Sequence, residues 1–269
     1  ACKAMLMELR QLAYDALMQA DVGCKLSAVQ RLQLALQNPQ SPIDPTAVFA
    51  GFNAPGRPAL PELVLPRDVP RRGLGSVEGR AALLHAVAHI EFNAINLALD
   101  AMQRFAGMPV DFYRDWASVA VDEARHFQLL QNRLAQLGFS YGAFKAHNGL
   151  WEMAEKTRDS CLSRMALVPR LLEARGLDVT PGMIDKLRQL QDHESVAVLE
   201  VILSEEVRHV AIGTHWFRHC CQQDNKDPET EFIALLKVHA KGSVRGPYNV
   251  EARARSGFSE FEMREISLL

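Results

Sequence analysis

Asp122-Glu123-Ala124-Arg125-His126 recurs further along the chain as Glu205-Glu206-Val207-Arg208-His209. Each copy sets a Glu and a His three residues apart, and on an α-helix residues at that spacing project from one face. Two such helical pairs, each joined by a Glu from another helix, form the carboxylate-bridged two-metal site of one class of four-helix bundle. A single Glu-x-x-His often marks a solvated helix face. Here Phe127, Leu130, Ile202 and Val210 flank the two copies, and a solvated face would not carry them. The repeat therefore predicts a helical protein with a buried di-metal site.

Working outward, each half needs a further Glu. The midpoint of Glu91 and Glu123 falls at Gly107, between two apolar-periodic segments. Residues equidistant from the turn of an antiparallel helical hairpin lie at similar height, so Glu91 faces Glu123 and His126. The first core helix is expected from the N-cap candidate Ser76 to about Phe105, with Leu84, Val87, Ala88, Ile95, Ala98 and Met102 on the face of Glu91. Gly107 and Pro109 end it. The second runs from about Phe112 to Leu137, with Gly138 as its stop and Trp116, Val119, Ala120, Phe127, Leu130 and Leu134 inward. A third helix is expected within 149–175, ending at Gly176, before a connector containing Thr180-Pro181-Gly182. A fourth runs from Asp192 to about Cys221. Glu173, Glu152 and Glu155 all lie on the third and compete as partners for Glu206 and His209.

The flanks differ in character. Residues 3–37 read as a helical hairpin broken at Gly23 and restarted at Ser27. Eight of the thirteen prolines, Pro39, Pro42, Pro45, Pro55, Pro58, Pro61, Pro66 and Pro70, mark 38–75 as an extended connector. After Cys221 one more helix is expected near 229–240, then a Gly/Pro-containing loop. No strand-like alternation appears, so the class is all-α. The expected organisation is 1–75 as hairpin and connector, 76–221 as four-helix bundle and 222–269 as a helical tail, together one compact domain.

Of the 269 residues 48% are hydrophobic, enough for a substantial core, and the net charge is −2. No bulk electrostatic argument favours nucleic acid or an anionic membrane. The five cysteines, Cys2, Cys24, Cys161, Cys220 and Cys221, follow no disulfide or zinc spacing. The N-terminal stretch carries Lys3, Glu8 and Arg10 and is unlike an export signal. The apolar run from Ala81 to Met102 is broken by His85, His89, Glu91 and Asp100, as in a core helix. A cytoplasmic protein is expected.

Other chemistry-bearing residues have plainer roles open to them. Asp122 and Glu205 either orient the histidines or pair with Arg125 and Arg208 at the rim. On a helical wheel His85 and His89 point away from Glu91, so core or surface positions suit them better than the site. His215 and His219, four residues apart, could bind a metal, but core or surface roles suit them too. Trp116, Trp151 and Trp216 line either a cavity or the core. The segment Lys241 to Asn249 is a lid, an anion-binding loop or a simple turn. There is no Walker motif, Rossmann glycine pattern or serine nucleophile elbow.

Several longer runs carry a resemblance. They include Arg72-Gly73-Leu74-Gly75-Ser76, His85-Ala86-Val87-Ala88-His89-Ile90-Glu91, Trp151-Glu152-Met153-Ala154-Glu155-Lys156-Thr157, Leu172-Glu173-Ala174-Arg175-Gly176-Leu177-Asp178 and His209-Val210-Ala211-Ile212-Gly213, beside the first repeat. Over most of residues 55–260 the chain resembles an uncharacterised bacterial family of ferritin-like proteins. The resemblance implies a ferritin-like four-helix bundle and its ligands, not a substrate. More distantly, Leu172-Glu173-Ala174 followed by the second repeat is similar to the ribonucleotide reductase small subunit, where the Glu of that run binds metal. This implies Glu173 rather than Glu152. Leu130 stands where that enzyme's radical-forming tyrosine is expected, and Tyr113 lies on the other side of Glu123, roughly 15 Å from that Glu along the helix, which counts against that reaction.

The expected ligands are Glu91, Glu123, His126, Glu173, Glu206 and His209, with no catalytic residue beyond them. Hard carboxylates with one imidazole per metal suit Fe, with Mn or a mixed Mn/Fe pair as alternatives. The leading expectation is an O2-dependent oxidase or hydroxylase of a small molecule or a modified nucleoside, served by an electron donor. Two alternatives are a ferroxidase or storage protein and a non-catalytic protein whose metal holds the bundle. A homo-oligomer is compatible with the flanking segments. No membrane or general nucleic-acid partner is expected, although a transfer-RNA hydroxylase stays a specific variant.

Overall fold

A computed structural model describes residues 7–240 and 244–269. Among these the protein is all-α, with eleven α-helices, a 3-10 turn at Pro66–Asp68 and a π-helical segment at Val168–Glu173. The chain forms two compact units, Ala1–Asn148 and Gly149–Leu269.

In the first unit, α1 (Leu9–Leu17) and α2 (Val22–Gln37) form the expected hairpin, whose first residues, 3–6, lie outside the described part. Its break differs from the expected one. The chain turns at Met18–Asp21, where the Asp21 side chain accepts from the Cys24 amide at 2.8 Å. Gly23 and Ser27 lie inside α2, because an N-cap side chain governs the restart more strongly than a nearby glycine. The prolyl connector is pinned in place by main-chain bonds, including Gly56 N–H to Leu17 O at 2.9 Å and Gly107 N–H to Pro45 O at 2.7 Å. An isolated bridge joins Leu63 and Ala146.

The long helices α3 (Val77–Arg104) and α4 (Val110–Gln136) form the core of this unit. Ser76 caps α3 by accepting from Gly79 N–H at 3.0 Å. Gly107, at φ +79°, takes the left-handed conformation that lets the chain reverse. The stripe from Leu84 to Met102 and its counterpart on α4 are buried as their spacing predicts. By length and composition α3 could cross a membrane, but 78% of its most apolar window is buried inside the protein. That burial is what a core helix has.

Two buried cations lock the N-terminal hairpin to α3. The Arg10 guanidinium donates to Met102 O at 2.8 Å and Gln103 O at 3.0 Å, filling carbonyls that the end of α3 leaves unpaired. Lys25 donates to Ala16 O and Leu17 O at 2.9 Å each and to Asn96 Oδ1 at 2.8 Å. Burial pushes the Lys25 ammonium down to about 7. Two of its three acceptors are carbonyls at the negative end of α1, where a cation is favoured, and the third belongs to α3.

In the second unit the third helix is not one rod. It consists of α5 (Gly149–Lys156), α6 (Cys161–Leu167), the π-helical segment and α7 (Ala174–Gln189). The expected stop at Gly176 and connector at Thr180-Pro181-Gly182 are overturned, since α7 runs through all four residues. Pro181 lacks the amide that would bond Leu177 O, and the Asn249 side chain donates to that carbonyl instead, at 3.2 Å. Helix α8 (His193–Gln223) starts at the Asp192 cap, which accepts from Ser195 N–H at 3.1 Å. The π segment packs so closely on α8 that a Cβ at Gly213 would run into the Pro169 ring.

After α9 (Pro228–His239), the tail carries two short helices that the sequence reading missed, α10 (Val250–Arg255) and α11 (Glu260–Ser267). A Ser259/Glu262 capping box starts α11. Glu262 also receives two 2.8 Å hydrogen bonds from Arg170 Nη2. The Arg170 guanidinium, itself buried, lies over the rings of Phe232, Phe258 and Phe217 at 4.0, 4.6 and 5.0 Å. Of the segment Lys241 to Asn249, residues 241–243 lie outside the described part.

Candidate metal centre

In the first unit the helical spacing does what it predicts. Glu123 and His126 lie one turn apart on α4, and Glu91 on α3 meets them. His126 Nδ1 stands 3.1 Å from Glu91 Oε2 and 3.2 Å from Glu123 Oε2. All three residues are buried, and a donor atom from each lies within 4.8 Å of the others. The protein thus has a buried Glu/His cluster that can hold a metal ion.

Electrostatics supports that fit. Two carboxylates enclosed by apolar side chains repel each other unless a cation or a proton lies between them. Without metal, His126 supplies the proton. Burial pushes its imidazole down, but hydrogen bonds that it donates to Glu123 and Glu91, together with their charges, overcome this and hold it up at about 11. A divalent cation meets the same demand with more charge, and carboxylate oxygen with imidazole nitrogen suits hard first-row metals.

Aromatic rings pack together in the same unit, on α3, on α4 and beyond it. Phe92, beside Glu91, and Phe127, beside His126, lie 5.5 Å apart, and Tyr141 packs against Phe127 at 4.9 Å. His85 and His89 stack on Tyr141 in this aromatic group. Gly142 N–H donates to His85 Nε2 at 2.9 Å, and His89 lies between the Tyr141 hydroxyl at 2.9 Å and His147 O at 3.0 Å. Burial pushes both imidazoles down to about 4. Asp122 pairs with Arg125 at 3.3 Å, the rim arrangement weighed above.

In the second unit Glu206 and His209 lie one turn apart on α8. His209 Nδ1 is 3.4 Å from Glu206 Oε1, and both residues are buried. Glu173 is also buried and ends the π-helical segment. Its rivals lie on a separate helix. Glu152 is exposed, and Glu155 pairs with Arg158 at 3.5 Å. The π-helical register around Glu173 has one legible cause, Pro169, which cannot donate an α-helical amide bond. Trp116, Trp151 and Trp216 are all core residues.

An all-helical protein with a buried cluster of carboxylates and imidazole is the class that fold and geometry define. Residues 18–264 match the model of a family described as "Protein of unknown function (DUF455)", and the chain belongs to that family. A Haemophilus influenzae protein, described as uncharacterized, is 46% identical over 213 residues, covering 77% of this chain and 74% of that protein. No solved structure matches the chain.

Proposed function

We propose that the chain is a cytoplasmic, ferritin-like di-metal carboxylate protein and that it catalyses O2-dependent oxidation or hydroxylation of a small molecule or a modified nucleoside. In this reading α3, α4, the helix bearing Glu173 and α8 form the four-helix bundle. Glu91, Glu123 and His126 supply one half of the ligand set, and Glu173, Glu206 and His209 supply the other. The observation that carries it is the convergence of Glu91 and Glu123 on His126 in a buried, apolar setting. Enclosed acids at such close range have little structural use without a cation.

Two iron ions held this way supply the redox equivalents for dioxygen reduction, with an outside electron donor resetting them. The chain's own residues fix the ligand positions, and the burial of Glu91, Glu123 and His126 excludes bulk water from them. Burial of Glu173, against exposure of Glu152, supports Glu173 as the remaining carboxylate.

The test loads metal-stripped protein with Fe(II) without oxygen and then admits oxygen. The expected result is about two iron ions per chain and oxygen uptake in fixed ratio to them. Glu123→Ala and His126→Ala should each lower bound iron, while His215→Ala, at an exposed site on α8, should not. Unchanged iron content in the ligand variants overturns the reading. Uptake of many irons per chain moves it to iron storage.

A further inference from the structure

The loop after α9 and the start of α7 share a cavity of about 180 Å³ inside the second unit. Its floor is apolar, built from Met153, Leu171 and Leu172. Its rim carries Arg175, Arg245 and Tyr248. The volume lies below the roughly 300–1,000 Å³ of sites for drug-sized ligands, so it suits a short molecule.

The charges around this cavity do not balance. Asp178 is the one carboxylate among its lining residues. Its oxygens already accept from Arg253 Nε at 2.9 Å, Arg253 Nη2 at 2.7 Å and the Asn249 amide at 3.0 Å. Arg253 is therefore its main partner. Arg175 lies 3.7 Å from the same carboxylate and also directs Nη1 to the main-chain carbonyl of Arg245 at 2.6 Å, which ties it to the loop that carries Arg245. Among the described residues, the Arg245 side chain makes no hydrogen bond or ion pair, and it is exposed. Two guanidinium groups thus line the apolar cavity, Arg175 sharing Asp178 with Arg253 and Arg245 with no carboxylate partner among the described residues. Burial also pushes the Tyr248 phenol up, so its O–H remains a donor.

We propose that this cavity binds a small organic anion. Its carboxylate or phosphate head would pair with Arg245 and Arg175, and its apolar body would lie on Leu171, Leu172 and Met153. Guanidinium forks match the geometry of both heads. Leu171 and Leu172 belong to the π-helical segment that ends at Glu173, so the ligand rests against the turn that positions this carboxylate. Binding here does not depend on metal.

Calorimetric titration of the metal-stripped full chain with hexanoate, hexyl phosphate, hexanol and inorganic phosphate tests it. The expected result is that hexanoate or hexyl phosphate binds about tenfold or more tightly than hexanol, the difference a charge-assisted hydrogen bond makes. The same anion should also outbind inorganic phosphate, which has no body for the floor. The tighter of the two anions identifies the head group. Arg245→Gln, which breaks no contact within the described fold, should weaken the anion about tenfold and leave hexanol unchanged. Equal binding of anion and alcohol, unaltered affinity in Arg245→Gln, or no anion binding at millimolar concentration overturns the proposal. Iron content, scored separately, is untouched by any of these outcomes.

Discussion

His126 and His85 are both buried imidazoles, yet their surroundings set them oppositely. Two acids hold His126 protonated in the metal-free chain, whereas His85 meets an amide donor, aromatic rings and the His89 imidazole, so burial, aided by His89, keeps it neutral down to about 4. His89 behaves as His85 does. Both take up protons in the unfolded chain near pH 6.5 but refuse them when folded. The stability they contribute is therefore complete above about pH 6.5, falls as the pH drops toward 4, and changes little below that. Each group contributes at most about 1.4 kcal/mol per pH unit to that slope. Urea unfolding of His85→Phe between pH 7 and pH 4.5 should show a shallower slope than the parent chain, and equal slopes would refute the assignment. The acids around His126 were legible because a three-residue spacing and a shared turn at Gly107 are properties of one hairpin. The stacking of His85 and His89 on Tyr141 was not, since Tyr141 lies beyond α4 and no periodicity ties it to α3.

At the scale of elements, the starts of α3 and α8 were legible from the caps at Ser76 and Asp192, whereas the capped start of α2 at Asp21 was not. Helix stops were legible where glycine takes a positive φ, as at Gly107 and Gly138. Thr180-Pro181-Gly182 misled, because the donor missing at Pro181 is replaced from far along the chain. Asn249 both donates to Leu177 O and caps α10 by accepting from Ala252 N–H at 3.1 Å. Asn249→Ala should therefore cost about 1–3 kcal/mol, one buried acceptor and one cap. In a Pro181→Ala background the new alanine amide can bond Leu177 O, so the same substitution should cost about 1 kcal/mol less. A double-mutant cycle in urea measures this coupling, and additive effects would show that Asn249 does not stand in for the proline's amide. The Ser259/Glu262 box that starts α11 is a local signal and was there to be read. The π-helical segment was not, because Pro169 equally permits a kink or a break.

For the whole molecule, the proposed centre makes stability a function of metal. A ligand bound only by the folded chain at a hundredfold excess over its Kd adds about 2.7 kcal/mol. Chelation should then lower the thermal midpoint by about 5–10 °C. Glu123→Ala should melt at one temperature with or without chelator, and a chelator shift retained in that variant would remove Glu123 from the centre. The sequence by itself determined the all-helical class, the faces that become core, and the pairing of Glu123 with His126 and of Glu206 with His209, because a helix turns every 3.6 residues and spacing within one helix is fixed by that geometry. Only the tertiary structure decided the path of α7 through Pro181, the clamp of Arg170 on Glu262 and the unbalanced arginines around Asp178. Those depend on partners some 70–90 residues apart, and contacts at such separation follow from packing, which no local spacing encodes.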